Sequence, residues 1–159
     1  MQGTIVQVSI SRGGVPKLPI PEASLGPLGV DGDSHSRPQI HGGPEKAVLL
    51  ITLEGITELI QRGYPLYPGA LGENLTTRGL DRRLLRIGQQ LRAGSAMLEI
   101  TRTRNPCTTL DVYGAALKRE IKADDPSSSA WGLSGFHARV LHPGWVRPDD
   151  IISVVATLA

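Results

Sequence analysis

The chain has 159 residues, which is enough for one compact domain with a hydrophobic core and short for two. Its net charge of +2 and its aromatic content of 4% argue against a nucleic-acid partner, because such partners need basic surfaces and stacking residues. Its longest uninterrupted apolar run, residues 47–51, is far too short to cross a bilayer, so we expect no membrane partner.

The chain shows no repeat and no linker, so we expect a single domain over residues 1–159. No charged segment precedes an apolar run at the N-terminus, so no signal peptide is expected, and the expected compartment is the cytoplasm. The one cysteine, Cys107, cannot form an intramolecular disulfide. It is therefore either a small buried residue or a reactive thiol.

The N-terminal half alternates between extended segments and turns. Residues 3–10 predict an opening strand, and residues 47–51 predict a buried strand. A helix is predicted over residues 52–62, because its apolar residues share one face, Thr52 is suited to the N-cap and Gly63 to the C-terminal stop.

The C-terminal half adds further strands and a second helix, which is predicted to start from a capping box of Thr108 and Asp111. Because glycine and proline are abundant and helices are few, the pattern favours an α+β fold, mainly β, forming a closed or nearly closed barrel with two or three short helices. The predicted elements are a loop at residues 68–74, a strand at 96–103, a helix at 110–121 and closing strands at 136–141 and 150–158.

The segment Arg-Asn-Pro-Cys at residues 104–107 can activate a thiol. Pro106 restricts the backbone before Cys107, and a helix is predicted to begin just after it. A helix N-terminus and Arg104 would both favour the thiolate, which is the form that binds metals. The alternative is that Cys107 packs as a small apolar residue.

The segment His-Gly-Gly-Pro-Glu-Lys at residues 41–46 is suited to an anion. Gly42 and Gly43 allow a ligand to approach the backbone closely, while His41 and Lys46 can contact negative charge. The same residues could instead form a turn with a surface lysine.

The glycine-spaced loop at residues 68–74 ends in Gly72, Glu73 and Asn74. Exposed amides beside a carboxylate and a carboxamide can bind a polar heterocycle through paired donors and acceptors. The loop lacks the lysine and hydroxyl of a nucleotide-binding P-loop. Its glycines could equally turn the corner of a barrel.

Other polar residues are assigned structural roles. Asp31, Asp33 and His35 start like a calcium loop, but Ser36 and Gly42 replace residues that such a loop requires, so an Asp-rich turn is expected. His137 and His142 are expected to be structural or surface histidines. A cluster of arginines is expected to form a solvated face that could contact an acidic partner: Arg78, Arg82, Arg83 and Arg86.

Taken together, the motifs resemble those of the MOSC family, the domain that ends the eukaryotic molybdenum cofactor sulfurases and also occurs in small stand-alone bacterial proteins. The resemblance covers nearly the whole chain and implies a barrel-like, mostly β fold. It depends on five ordered motifs: GVDGDSH at residues 29–35, HGGPEKAV at 41–48, PGALGENLT at 68–76, GLD at 79–81 and RNPC at 104–107.

The resemblance implies binding of the molybdenum cofactor, a molybdopterin. Cys107 falls at the position of the molybdenum ligand or sulfur acceptor, and is therefore the expected catalytic residue. Arg104 falls where the anionic phosphate and pterin would be held. The other expected cofactor-binding residues are His41, Gly42, Gly43, Lys46, Gly72, Glu73 and Asn74.

The resemblance also implies a reaction, the reduction of small N-hydroxylated compounds to amines. No electron-carrying module and no pyridoxal phosphate site are expected in this chain, so the reduction would need separate electron-donor proteins. The alternative is a carrier without catalytic activity, which would deliver the cofactor or its sulfur to another apoenzyme.

Overall fold

The computed structural model describes residues 1–34 and 43–155. In these ranges two α-helices, α1 (Leu53–Gln61) and α2 (Leu117–Ile121), accompany three 3₁₀ helices at Pro44–Lys46, Arg82–Leu84 and Thr108–Tyr113. The strands are β1 (Gln2–Ile10), β2 (Leu18–Ile20), β3 (Ala23–Gly26), β4 (Gly29–Val30), β5 (Val48–Thr52), β6 (Leu75–Arg78), β7 (Gln90–Ala93), β8 (Ala96–Thr103), β9 (Phe136–His142), β10 (Gly144–Val146) and β11 (Ile151–Val154).

Seven of the described strands close into a barrel, in the order β11-β7-β8-β9-β5-β6-β1. The barrel closes where β1 pairs with β11, with Gln2 opposite Ser153 and Thr4 opposite Ile151. Only β5 and β6 are parallel among the described pairs, and helix α1 supplies the crossover that parallel neighbours require. The predicted class, mainly β with a barrel and short helices, is confirmed.

Strand β5 separates two apolar cores. All five of its residues are buried, and residues 48–51 form a continuous apolar run rather than an alternation. Leu50 packs inside the barrel with residues such as Ile5 and Leu98. Ile51 packs outside the barrel with Leu59 and the residues of α2. This second core holds the segment after β8 against the barrel.

The first predicted helix is confirmed. The second is wrong, because it is not one continuous α-helix. Thr52 caps α1 by accepting a hydrogen bond from Gly55 N at 3.2 Å. The predicted helix over residues 110–121 is instead a 3₁₀ helix, Thr108–Tyr113, followed by α2. Gly114 interrupts it with a φ of 137°, a left-handed value that no helix continues through. The predicted capping box is absent, because the N-cap is Cys107 and its side chain makes no capping hydrogen bond.

A second, small sheet of three described strands joins β10, β3 and β4. Around β3 and β4, the sequence predicted only turns and short extended segments. None of the helices in the described ranges is long and apolar enough to span a membrane.

Candidate functional site

A cleft of about 290 Å³ opens beside the barrel, where the end of β8 meets the starts of β5 and β9. Among the described residues, four cations line it, Lys17, Lys46, Arg102 and Arg104, and the imidazole of His137 lies among them. Within the described ranges, no aspartate or glutamate lines it. A cleft lined by one sign of charge attracts ligands of the other sign, so this cleft is suited to an anion.

Arg104 is a buried cation of the cleft, with 9% of its surface exposed. Its backbone is fixed on both sides, because its N–H donates to Gly135 O at 2.9 Å and its carbonyl accepts from Ser134 Oγ at 2.7 Å. Burial lowers its pKa, against the opposing fields of Cys107 and Glu73. In the part of the chain that the structure describes, Arg104 Nη1 has no hydrogen-bond partner. A buried donor of this kind is costly unless a ligand or water accepts from it.

Cys107 lies in the same cleft and is partly exposed. Its Sγ contacts Thr109 Oγ1, so the thiol is held by a hydroxyl two residues further on. The helix that follows is a six-residue 3₁₀ helix instead of the predicted α-helix, and Arg104 interacts electrostatically with Cys107.

Gly72 keeps the cleft open beside Arg104. It has a φ of 87°, and a Cβ at this position would lie 3.1 Å from Val15 Cγ1 and 3.9 Å from Arg104 Nη2. Any side chain would therefore occupy the space that the guanidinium faces. The loop is held by a hydrogen bond from Lys17 N to Gly69 O at 2.9 Å.

Glu73 directly follows Gly72, but it is not among the residues that line the cleft. It is completely buried, and its Oε2 accepts from Thr76 Oγ1 at 3.1 Å, while its Oε1 has no partner among the described residues. Burial raises the pKa of Glu73 to about 6, although the amides of Glu73 and Gly69 and the charge of Arg104 act against the shift.

The Asn74 side chain bonds within the protein. Its Oδ1 accepts from Leu49 N at 3.1 Å, and its Nδ2 donates to Ser9 O at 3.2 Å and to Asp33 Oδ2 at 2.9 Å. It therefore joins β1, β5 and the turn at Asp33. The amide does not line the cleft, and its contact with a cofactor stays a prediction.

The motif at residues 41–46 is placed only in part. Lys46 lines the cleft, while Gly43 is exposed and does not. The predicted residues His41 and Gly42 lie outside the described residues.

Three basic residues of the cleft were not predicted to be there. Lys17 and Arg102 carried no motif, and His137 was expected to be structural or on the surface. His137 lies opposite both Arg102 and Leu49 in the barrel register, so the pairing of three strands places it in the cleft. Because this neighbourhood depends on barrel closure, no local pattern in the sequence signals it.

The predicted arginine face is wrong at Arg82. This side chain is buried, donating to Glu58 Oε2 at 2.8 Å, to Ser129 O at 3.1 Å and to Trp131 O. It fastens α1 to the loop before β9. Arg83 is exposed and pairs with Asp81.

These residues fit a cofactor that carries a phosphate and a sulfur-ligated metal. The open donor of Arg104 and the other cations can hold the anion, the absent side chain at Gly72 leaves room for it, and a thiolate at Cys107 is a soft ligand.

Comparison with known proteins identifies the family. A family model described as MOSC domain matches residues 37–153, well over half of the chain, and the protein therefore belongs to the MOSC domain family. That family is associated with molybdenum cofactor binding.

Two relatives are similar in sequence. The chain is 34% identical to the uncharacterized protein YflK of Bacillus subtilis (strain 168), over 79% of this chain and 55% of YflK. It is 27% identical to the protein YiiM of Escherichia coli (strain K12), over 87% of this chain and 61% of YiiM. The chain thus spans less than two thirds of the length of either relative. The solved structure of YiiM from Geobacillus stearothermophilus superposes with a TM-score of 0.75 at 25% identity, covering 97% of this chain and 75% of that one.

Proposed function

We propose that this protein binds the molybdenum cofactor in the cationic cleft and reduces N-hydroxylated compounds there, with Cys107 as the molybdenum ligand. One observation carries the proposal. The buried guanidinium of Arg104, one donor of which has no partner among the described residues, shares the cleft with the only thiol of the chain.

The residues of the cleft divide the work of binding. Arg104 and Lys46 contact the anionic part of the cofactor, and Gly72 leaves the space in which it lies. The Sγ atom of Cys107 lies in the same cleft, and the Thr109 hydroxyl orients this sulfur. Electrostatic binding of this kind also desolvates the ligand, which strengthens each contact.

When bound, the cofactor supplies the two-electron chemistry that converts an N–OH group into N–H and water. The reaction consumes two electrons and two protons. We assign the electrons to a separate donor protein and the protons to solvent that reaches the partly exposed end of the cleft.

A carrier is the second candidate, and the partial exposure of Cys107 favours it. A sulfur that solvent reaches can also be reached by an acceptor protein. A carrier would hold the cofactor or its sulfur without turning over a substrate.

Turnover separates the two candidates. Protein isolated from a host that makes the cofactor is given an artificial one-electron donor and either hydroxylamine or an amidoxime, and amine formation is followed. We expect catalytic turnover by the wild type and by Arg139→Ala, a control arginine that pairs with Glu45 and Glu99 on the surface. We expect none from Cys107→Ser. Molybdenum-loaded protein that forms no amine would support the carrier, and turnover by Cys107→Ser would overturn the proposed ligand.

A further inference from the structure

Glu73 and Arg104 are opposite charges in the wall of the cleft that are not paired directly. Both residues are described by the structure, yet no hydrogen bond joins them, and Glu73 Oε1 and Arg104 Nη1 each lack a partner in the described ranges. Each nevertheless acts on the pKa of the other through its field. The fields of Cys107 and Glu73 both act on Arg104, so Glu73 balances part of its charge from a distance, and its Nη1 donor stays available to the cleft.

The groups around Glu73 other than Arg104 are neutral or already compensated. Thr76 donates a hydroxyl, and backbone amides of Glu73 and Gly69 act on the carboxylate. The nearby phenol of Tyr113 stays neutral, because burial raises its pKa.

The neighbouring charges on the other side of the loop form their own pair. Asn74 contacts Asp33, whose charge is balanced by Lys17 at 2.7 Å. Arg104 is therefore the cation whose occupancy decides how well a charge on Glu73 is tolerated.

We propose that Glu73 is a distant counter-charge of Arg104, and that an anion bound by Arg104 is taken up together with a proton on Glu73. The proposal rests on the proposed function only in taking Arg104 as the anion contact. The proton comes from solvent and returns to it when the anion leaves.

The physical reason is competition for one guanidinium. In the free protein, the carboxylate of Glu73 balances Arg104 across a gap. When an anion takes over that role, the carboxylate is left buried without a counter-charge, and its neutral form is favoured. Burial has already raised the pKa of Glu73 to about 6, so a small further rise reaches neutral pH.

Inorganic sulfate is the probe, because its charge stays constant across the range in which Glu73 titrates. The carboxyl carbon of Glu73 is followed by ¹³C NMR during pH titrations with and without saturating sulfate. We expect sulfate to raise the Glu73 pKa by about one unit, which makes sulfate affinity about tenfold higher below the free-state pKa than above the bound-state pKa.

Two variants give the matched comparison. Glu73→Gln should bind sulfate with the same affinity at every pH, while Glu99→Gln, which loses a surface partner of Arg139, should keep the wild-type pH dependence. Arg104→Ala should lose both sulfate binding and the pKa response of Glu73. If Glu73→Gln does not fold, the titration of the wild type still decides the matter.

Several results would overturn the proposal. These are sulfate binding that leaves the Glu73 pKa unchanged, a Glu73→Gln variant that keeps the pH dependence, or no sulfate binding at all. None of these measurements involves molybdenum. An unchanged Glu73 pKa or a retained pH dependence therefore leaves the proposed function standing, whereas the absence of sulfate binding also counts against Arg104 as its anion contact. Loss of the proposed function through the molybdenum assays leaves this coupling to be judged by itself.

Discussion

Lys17 Nζ lies 2.7 Å from Asp33 Oδ1, and both side chains are almost completely buried at the edge of the cleft. Asp33 also accepts from Ser11 N at 2.9 Å and from Asn74 Nδ2 at 2.9 Å. One carboxylate therefore ties the end of β1, the turn after β4 and the loop before β6 together. This junction positions Lys17, one of the residues that line the cleft.

We expect Asp33→Asn to lower the free energy of unfolding by about 3–5 kcal/mol, because it leaves the Lys17 ammonium buried without a counter-charge. Urea unfolding measures the loss. The matched control is Glu22→Gln, which removes the partner of Arg147 in an exposed pair and should cost no more than about 1 kcal/mol. Equal losses in the two variants would show that the buried pair is not structurally important.

Glu73 should make the folded protein less stable as the pH rises. Its folded-state pKa is about 6, above the ordinary value of 4.5, so the folded state binds the proton more tightly than the unfolded state does. The corresponding stability is present in full below pH 4.5 and is lost as the pH passes through 6. We expect a loss of about 2 kcal/mol across that window.

Glu73→Gln cannot titrate and should lack this component. The measurement is the urea-unfolding free energy as a function of pH for both proteins, with Glu99→Gln as the control for removal of a carboxylate. Parallel curves for the wild type and Glu73→Gln would contradict the raised pKa.

Gly72 and Gly88 provide a matched pair of glycines. Both have left-handed φ values, 87° and 91°, but a Cβ at Gly88 meets nothing within 4 Å, whereas one at Gly72 meets Val15 at 3.1 Å. Each alanine substitution should cost about 1–2 kcal/mol from the backbone alone. Only Gly72→Ala should also reduce molybdenum retention, because its methyl group occupies space beside Arg104. Equal retention in both variants would place the cofactor elsewhere.

Arg104→Ala should weaken cofactor retention by about 1.5–3 kcal/mol, the value of a lost hydrogen bond to a charged group. The measurement is the rate at which molybdenum is lost during dialysis. Arg139→Ala is the control, since it removes an arginine of the barrel surface that pairs with Glu99. Retention equal to that of the control would show that the anion does not lie at Arg104.

Local signals in the sequence predicted the elements that have strong caps or strong periodicity. Thr52 and Gly63 bounded α1 correctly, and the alternation over residues 96–103 gave β8 without error. The second helix failed because one glycine, Gly114, outweighed the apolar periodicity on either side of it. Strands as short as β4 and β10 have too few residues to show a period.

The sequence predicted only those cleft residues that belong to a motif. Arg104, Cys107, Lys46 and Gly72 line it as the family resemblance implied, although whether each contacts a cofactor stays a prediction. Lys17 is held at the cleft by its ion pair with Asp33, which lies sixteen residues further along the chain. Such neighbours are set by tertiary structure, so a single sequence does not reveal them.

The most direct test of the account is the ratio of molybdenum to protein, determined by elemental analysis, in wild type and Cys107→Ser isolated from a host that makes the cofactor. Cys107 is partly exposed and makes one side-chain contact in the described ranges, so the variant should fold. If Cys107 is the molybdenum ligand, we expect near-stoichiometric molybdenum in the wild type and its loss in Cys107→Ser. Wild-type molybdenum content in Cys107→Ser, or none in either protein, would contradict it.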